Sequence, residues 1–165
     1  MFVDARVFDY SSNQYTFDEL KEQLKTYDQN GYNFYIGSDS QVFLDKICLV
    51  TCICAYKPGT GSKVFYTKEN HETQTYKTLR ARVLLETYKS LETALEIDEC
   101  IKSPIEIHLD IGTTKRSKTA VYYSELVSMV ISQGYTCEVK PNSWAAYLAD
   151  RKTKTFSASF NLDNK

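Results

Sequence analysis

No stretch of the chain approaches the roughly 20 consecutive apolar residues of a membrane-spanning helix, and the opening Met-Phe-Val-Asp-Ala-Arg contains no long apolar run. Cysteine occurs five times, an odd number without paired Cys-x-x-Cys spacing, which argues against a disulfide framework and against a cysteine zinc site. These absences predict a reduced, soluble, cytoplasmic protein. Net charge is missing as well: 20 Lys and Arg against 21 Asp and Glu leave −1, so a uniformly basic nucleic-acid binder is excluded. Neither Gly-x-Gly-x-x-Gly nor a Walker A, His-Glu-x-x-His or Gly-x-Ser-x-Gly pattern occurs, and nucleotide-cradling, zinc-protease and serine-hydrolase readings therefore have no motif behind them. No repeat, low-complexity tract or linker divides the 165 residues, a length usual for one domain.

The charge that is present is unevenly placed. Between Lys115 and Lys154, seven Lys and Arg stand against three acids, about +4, which leaves about −5 elsewhere. Such a polarity fits a side that faces a polyanion, or simply a solvated face.

The most informative stretch is Asn33 to Phe43, Asn-Phe-Tyr-Ile-Gly-Ser-Asp-Ser-Gln-Val-Phe. Its aromatic and β-branched residues predict a strand, and strand alternation puts Tyr35, Gly37, Asp39, Gln41 and Phe43 on one side. Asp39 in mid-strand then needs donors, a cation or exposure, because an unpaired buried carboxylate costs several kcal/mol. Upstream, Thr16 and Glu19 form a capping box for a helix through about Tyr27, closed by Asn30-Gly31. Downstream, Ile47 to Tyr56 reads as a strand covered on both faces, with Cys48, Cys52 and Cys54 packing on one side. Pro58-Gly59-Thr60-Gly61 turns the chain into a third strand from Lys63 to Thr67, and the short connections make an antiparallel meander.

Thr75 to Ile97 carries apolar residues at three- and four-residue spacing, among them Tyr76, Leu79, Val83, Tyr88, Leu91 and Leu95, and predicts a long amphipathic helix. Pro104 opens a strand ending at Gly112. A helix over Thr119 to Gln133, a strand around Cys137 and a short helix from Trp144 to about Lys152 follow. The expected fold is α/β, a mixed five-stranded sheet in which the meander is extended by parallel βα units, with helices on both faces and an N-terminal helix. The expected organisation is an N-terminal helical extension over 1–31 packed on a domain over 32–152, then a largely unordered polar tail over 153–165.

In this topology Asp39 and Asp110, at the end of the first strand reached through a helix, lie on adjacent strands. Two neighbouring carboxylates call for a cation, and oxygen donors suit Mg²⁺ or Mn²⁺; the plainer alternative is that one of them caps or pairs with Arg116 or Lys118. Glu86, flanking the long helix's stripe, and Asp150, in the last helix, each read by themselves as solvated acids. His108 shares a face with Glu106 and Asp110 and is either a metal ligand, a proton relay or a hydrogen-bonded structural histidine.

Gly37-Ser38-Asp39-Ser40-Gln41, His108-Leu109-Asp110-Ile111-Gly112 with Ser117-Lys118-Thr119 after it, and Lys140-Pro141-Asn142-Ser143-Trp144-Ala145-Ala146 leading to Ala149-Asp150-Arg151 together resemble the YkuK-type bacterial family, which is ribonuclease H-like. The resemblance covers about Asn33 to Lys154. It implies a ribonuclease H-like fold with one acid each from the first strand, the first long helix, the end of the fourth strand and the last helix. By position these are Asp39, Glu86, Asp110 and Asp150, with Glu72 competing for the helix position and Lys152 standing where family members often carry histidine. The function so implied is a divalent-metal-dependent phosphodiester hydrolase, a nuclease with two Mg²⁺ or Mn²⁺ ions on the four acids and Asp39 bridging them. Lys118, Lys140, Arg151 and Lys152 are then the phosphate contacts on RNA, DNA or a hybrid, and Ser40, Gln41 and His108 are accessory candidates. The alternative from another class is a ribonuclease H-like module that binds nucleic acid or acts as a scaffold without catalysis.

Overall fold

Two strands that the sequence pattern does not reveal open the structure, β1 (Val7–Asp9) and β2 (Gln14–Tyr15), followed by α1 (Phe17–Gln29). The computed structural model describes residues 6–163, with side chains through Phe156. The expected meander follows as β3 (Asn33–Phe43), β4 (Lys46–Lys57) and β5 (Gly61–Glu72). Then come α2 (Leu79–Asp98), β6 (Ile105–His108), a 3₁₀ turn at Ala120–Tyr122, α3 (Tyr123–Ser132), β7 (Thr136–Glu138) and α4 (Trp144–Asp163). Among the described residues the sheet has seven strands, in the order β2-β1-β5-β4-β3-β6-β7, rather than the five expected. Strands of three and two residues are too short to show a period. They are fixed by partners far along the chain, β1 pairing antiparallel with β5 from Val7↔Thr67 to Asp9↔Phe65. The N-terminal segment is thus part of the sheet as well as a helix packed on it.

The meander and the βα additions are as the connections dictate. β3 and β4 pair antiparallel along their length, with Asp39 opposite Val50, while β6 lies parallel to β3 and β7 parallel to β6. One face of the sheet packs against α1, α2 and α3: Phe34, Ile36, Ile53 and Phe65 meet Leu20, Leu24, Val83, Ala94, Ile97, Leu126 and Val130. Each of the larger of these side chains, fully buried, stabilises the fold by roughly 1.5–3 kcal/mol. The other face carries Cys48, Val50, Cys52, Cys54 and Tyr66 under Ala145 and Ala149 of α4. The three cysteines are free and buried, small apolar residues under a helix.

Local chemistry sets the helix ends. Thr16 accepts from the Glu19 N–H while the Glu19 carboxylate accepts from the Thr16 N–H, completing the capping box, and Gly31 at φ +81° ends the helix. Thr78 caps α2 by accepting from the Ala81 N–H. Of the apolar stripe, Val83 and Leu91 are buried, together with Thr87 and Ala94, whereas Tyr88 and Leu95 are 60% and 51% exposed.

α4 departs from expectation. The segment from Thr153, read as an unordered polar tail, continues as helix to Asp163; residues 164 and 165 lie outside the described residues. Tertiary contact overrides the polar composition here, since Thr153 is fully buried against Asp39 and Phe156 packs on Tyr66. The helix can approach this closely because β3 has no side chain at Gly37: a Cβ there lies only 2.2 Å from the Ala146 nitrogen.

Candidate active site

Asp39 and Gly37 share the α4-facing side of β3, so the close approach at Gly37 carries α4 over the carboxylate. Asp39 is 5% exposed. Its Oδ2 receives the Thr153 hydroxyl at 3.0 Å and the Gln41 amide at 3.3 Å. Thr153 has one proton and also approaches the Asp150 carbonyl at 2.8 Å, so even this donor is shared. No donor among the described residues reaches Asp39 Oδ1. Burial, reinforced by the charges of Asp110 and Asp150, pushes the Asp39 carboxyl up to about 7.

Glu86 arrives from the opposite face of the sheet. It projects from α2 to the strand where Ser40 points toward the helix layer, and Oε1 receives the Ser40 N–H at 3.0 Å and the Ser40 hydroxyl at 2.6 Å. Burial and the charges of Asp39 and Asp110 hold its carboxyl well above the usual range despite the two hydrogen bonds. Glu72, the competing candidate, is exposed at the end of β5 opposite Lys46, so Glu86 is the inward helix carboxylate. Asp110 sits two residues past the end of β6 and meets Lys140 Nζ at 3.1 Å. Asp39, Glu86 and Asp110 line one cleft of about 380 Å³ together with Ser40, Gln41, Arg82, Thr119 and Lys140.

Asp150 is not among the residues that line the cleft. Gln41 joins it to the centre, its amide nitrogen lying 3.4 Å from Asp150 Oδ1 and 3.3 Å from Asp39 Oδ2, and Lys154 holds the other oxygen at 2.8 Å. Carboxylate oxygens are the donors that suit a hard divalent cation, and Asp39, Glu86 and Asp110 line one cleft. Among the described residues no three Asp, Glu, His or Cys groups stand already converged to hold a metal ion.

The accessory candidates divide. Ser40 orients Glu86 and Gln41 links two acids, whereas His108 serves the scaffold. Its Nδ1 accepts the Ala145 N–H at 3.0 Å, which leaves the Nε2 proton to donate to Glu106 at 2.8 Å. Burial lowers its pKa, so this neutral tautomer is the stable one, packed between Tyr35 and Trp144. Of the four cations, Lys140 alone lines the cleft. Lys118 and Arg151 are exposed and outside its lining, and Lys152 lies over the rings of Tyr10 and Tyr66, at 4.5 and 4.7 Å. Thr153 was not singled out from the sequence; its spacing of three from Asp150 is a signal only once the helix is known to extend past Lys152.

The similarity to known proteins agrees with this geometry. Residues 15–154 match the family described as Ribonuclease H-like. The chain is also 30% identical over 169 residues to "Uncharacterized protein YkuK" of Bacillus subtilis (strain 168), an alignment that takes in 89% of this chain and 96% of that protein. A mixed sheet with α4 laid over the mid-strand aspartate, and a match across most of both chains, place this chain in the YkuK-type family with the ribonuclease H-like fold.

Proposed function

We propose that the protein is a divalent-metal-dependent phosphodiester hydrolase acting on nucleic acid. The observation that carries this reading is the state of Asp39, buried, short of donors and facing a cleft that Glu86 and Asp110 also line. Carboxylates gathered without enough protein donors fit a site completed by cations. Asp39, Glu86, Asp110 and Asp150 would hold Mg²⁺ or Mn²⁺, two ions with substrate bound, which would supply Lewis-acid activation of water and neutralise charge on the phosphate.

The chain's own residues prepare that chemistry. Ser40 fixes the Glu86 carboxylate through two hydrogen bonds, and Gln41 sets the spacing between Asp39 and Asp150. Arg82 and Lys140 put positive charge in the cleft lining, where a phosphodiester lies against the acids. Thr153 donates to Asp39 Oδ2, leaving Oδ1 without a protein donor among the described residues.

A panel of labelled RNA, DNA, hybrid and branched substrates with Mg²⁺ or Mn²⁺ tests the reading. Cleavage by the wild type, lost in Asp39→Asn, is the expected result; equal activity of the two proteins sinks it. The lack of three ready-converged ligands among the described residues favours the second reading, a binding or scaffold module without catalysis. Calorimetric titration separates the two: Mg²⁺ or Mn²⁺ binding that disappears in Asp39→Asn supports the hydrolase, and no binding by the wild type with substrate absent or present supports the module.

A further inference from the structure

Beyond β4, the sheet face that carries Asp39 presents aromatic rings. Phe8 of β1 stacks on Tyr66 of β5 with ring centres 5.6 Å apart, Tyr10 meets Tyr66 edge-on at 6.1 Å, and Phe156 of α4 leans on Tyr66 at 6.1 Å. Two ammonium groups lie over these rings, Lys152 on Tyr10 and Tyr66, and Lys68 at 4.2 Å from the Phe156 ring centre. Between α4 and the β1–β2 turn, Tyr10, Leu148, Arg151, Lys152 and Thr155 enclose a concavity of about 220 Å³.

Lys63, Lys140 and Lys154 each hold a carboxylate, whereas Lys68, Arg151 and Lys152 have none within ion-pair distance among the described residues. Packing of an aliphatic stem on rings accounts for Lys152. It does not account for an exposed, unpaired Arg151 guanidinium beside a tyrosine that is itself 47% exposed. Cations beside an exposed aromatic ring, here Tyr10, are what a single nucleic-acid strand recognises, through phosphate pairing and base stacking. The volume suits one base rather than a duplex, whose bases are stacked and paired.

We propose that this concavity binds single-stranded nucleic acid, a base stacking on Tyr10 while the neighbouring phosphates meet Arg151 and Lys152. The proposal rests on the nucleic-acid reading of the cleft but not on catalysis. α4 presents Asp150 and Thr153 toward Asp39 and Arg151 and Lys152 toward the concavity, so a strand crossing this one helix meets both sites.

The test is fluorescence anisotropy of labelled oligo(dT) and oligo(rU) of about 12 nucleotides, with the full chain in EDTA, between about 50 and 200 mM salt. Arg151→Gln with Lys152→Gln should weaken binding by roughly ten-fold or more at low salt and flatten the slope of log K against log salt by about 1.4, two phosphates at ~0.7 each. Tyr10→Ala should lose roughly five-fold or more, and Tyr10→Phe should retain affinity. Undiminished binding by the double variant or by Tyr10→Ala overturns the site, and equal affinity for a hairpin duplex overturns the single-strand assignment. Photocrosslinking of a 5-bromouracil oligonucleotide to the wild type gives a readout that no folding defect disturbs: attachment at Tyr10 supports the proposal, and attachment confined to the cleft overturns it. If the variants lose binding while the wild type cleaves nothing, this inference stands and the hydrolase reading falls; cleavage with binding untouched by the variants gives the reverse.

Discussion

Asp9, at the end of β1, and Asp39, in the middle of β3, are buried almost equally, 1% and 5% exposed, yet their surroundings are opposite. Asp9 receives five donors: the Ser11 and Asn13 N–H groups, the Asn13 amide, the Tyr15 hydroxyl and Lys63. Burial pushes its carboxyl up, but Lys63, Asn13 and Tyr15 more than offset this and hold it well below the usual range. Asp39 has two donors, one of them shared, and burial raises its carboxyl to about 7. Both residues are buried acids on one sheet, and the supply of donors and the presence of other carboxylates separate them. A carboxylate with its lone pairs engaged ties β1, β2 and β5 together, while one left short beside other acids is the feature on which the proposed cation site rests.

The comparison breaks first in activity. Asp39→Asn should reduce metal-dependent cleavage by about a thousand-fold or more, equivalent to about 4 kcal/mol, in single-turnover assays, whereas Asp9→Asn should reduce it only as far as it unfolds the protein. Comparable losses at matched folded fraction mean that the two acids do not have different jobs.

Stability against pH comes next, and the signs are opposed. The folded Asp39 pKa of about 7 lies above its ordinary value of 3.8, so its contribution is fully present below about pH 4 and is lost as pH rises toward 7. Asp39→Asn should therefore gain on the wild type between pH 4 and 8, by up to about 4 kcal/mol, in urea titrations in EDTA. The folded Asp9 pKa is depressed, and its contribution is present above about pH 4 and lost as pH falls through the folded value. A flat difference curve for Asp39→Asn removes the claim that Asp39 is short of donors.

Asp9→Ala should cost about 3 kcal/mol at pH 7, because it strands the partly buried Lys63 ammonium and the Tyr15 hydroxyl. Thermal melts showing less than about 1 kcal/mol would make the five donors decoration. The smallest effect is Thr153→Val, near 1 kcal/mol: it removes one donor from Asp39, so the ionisation of Asp39, read by the pH profile of cleavage, should move upward, while Thr153→Ser restores the wild-type profile.

Much of the fold was legible because local rules fixed it. The alternation in Asn33 to Phe43 put Asp39 and Gly37 on one face, the Thr16–Glu19 box started α1, and short turns forced the meander. β1 and β2 were not legible, being too short to carry a pattern, and the helical continuation past Lys152 was hidden because its residues are polar and are held by contacts with Asp39 and Tyr66. In the site, Asp39 and Asp110 followed from strand order. The inward turn of Glu86 depended on where α2 meets Ser40, a partner 46 residues away.

What the sequence determined by itself was the identity of the acids, the strand face of Asp39 and the glycine that admits a helix over it, since residue type and a period of two act within a few residues. The tertiary structure alone decided how each acid is satisfied. Asp9 is met by Lys63 and Asp39 by Thr153, 54 and 114 residues distant, and whether a buried carboxylate ends up saturated or short depends on sheet register and helix placement that no local pattern encodes.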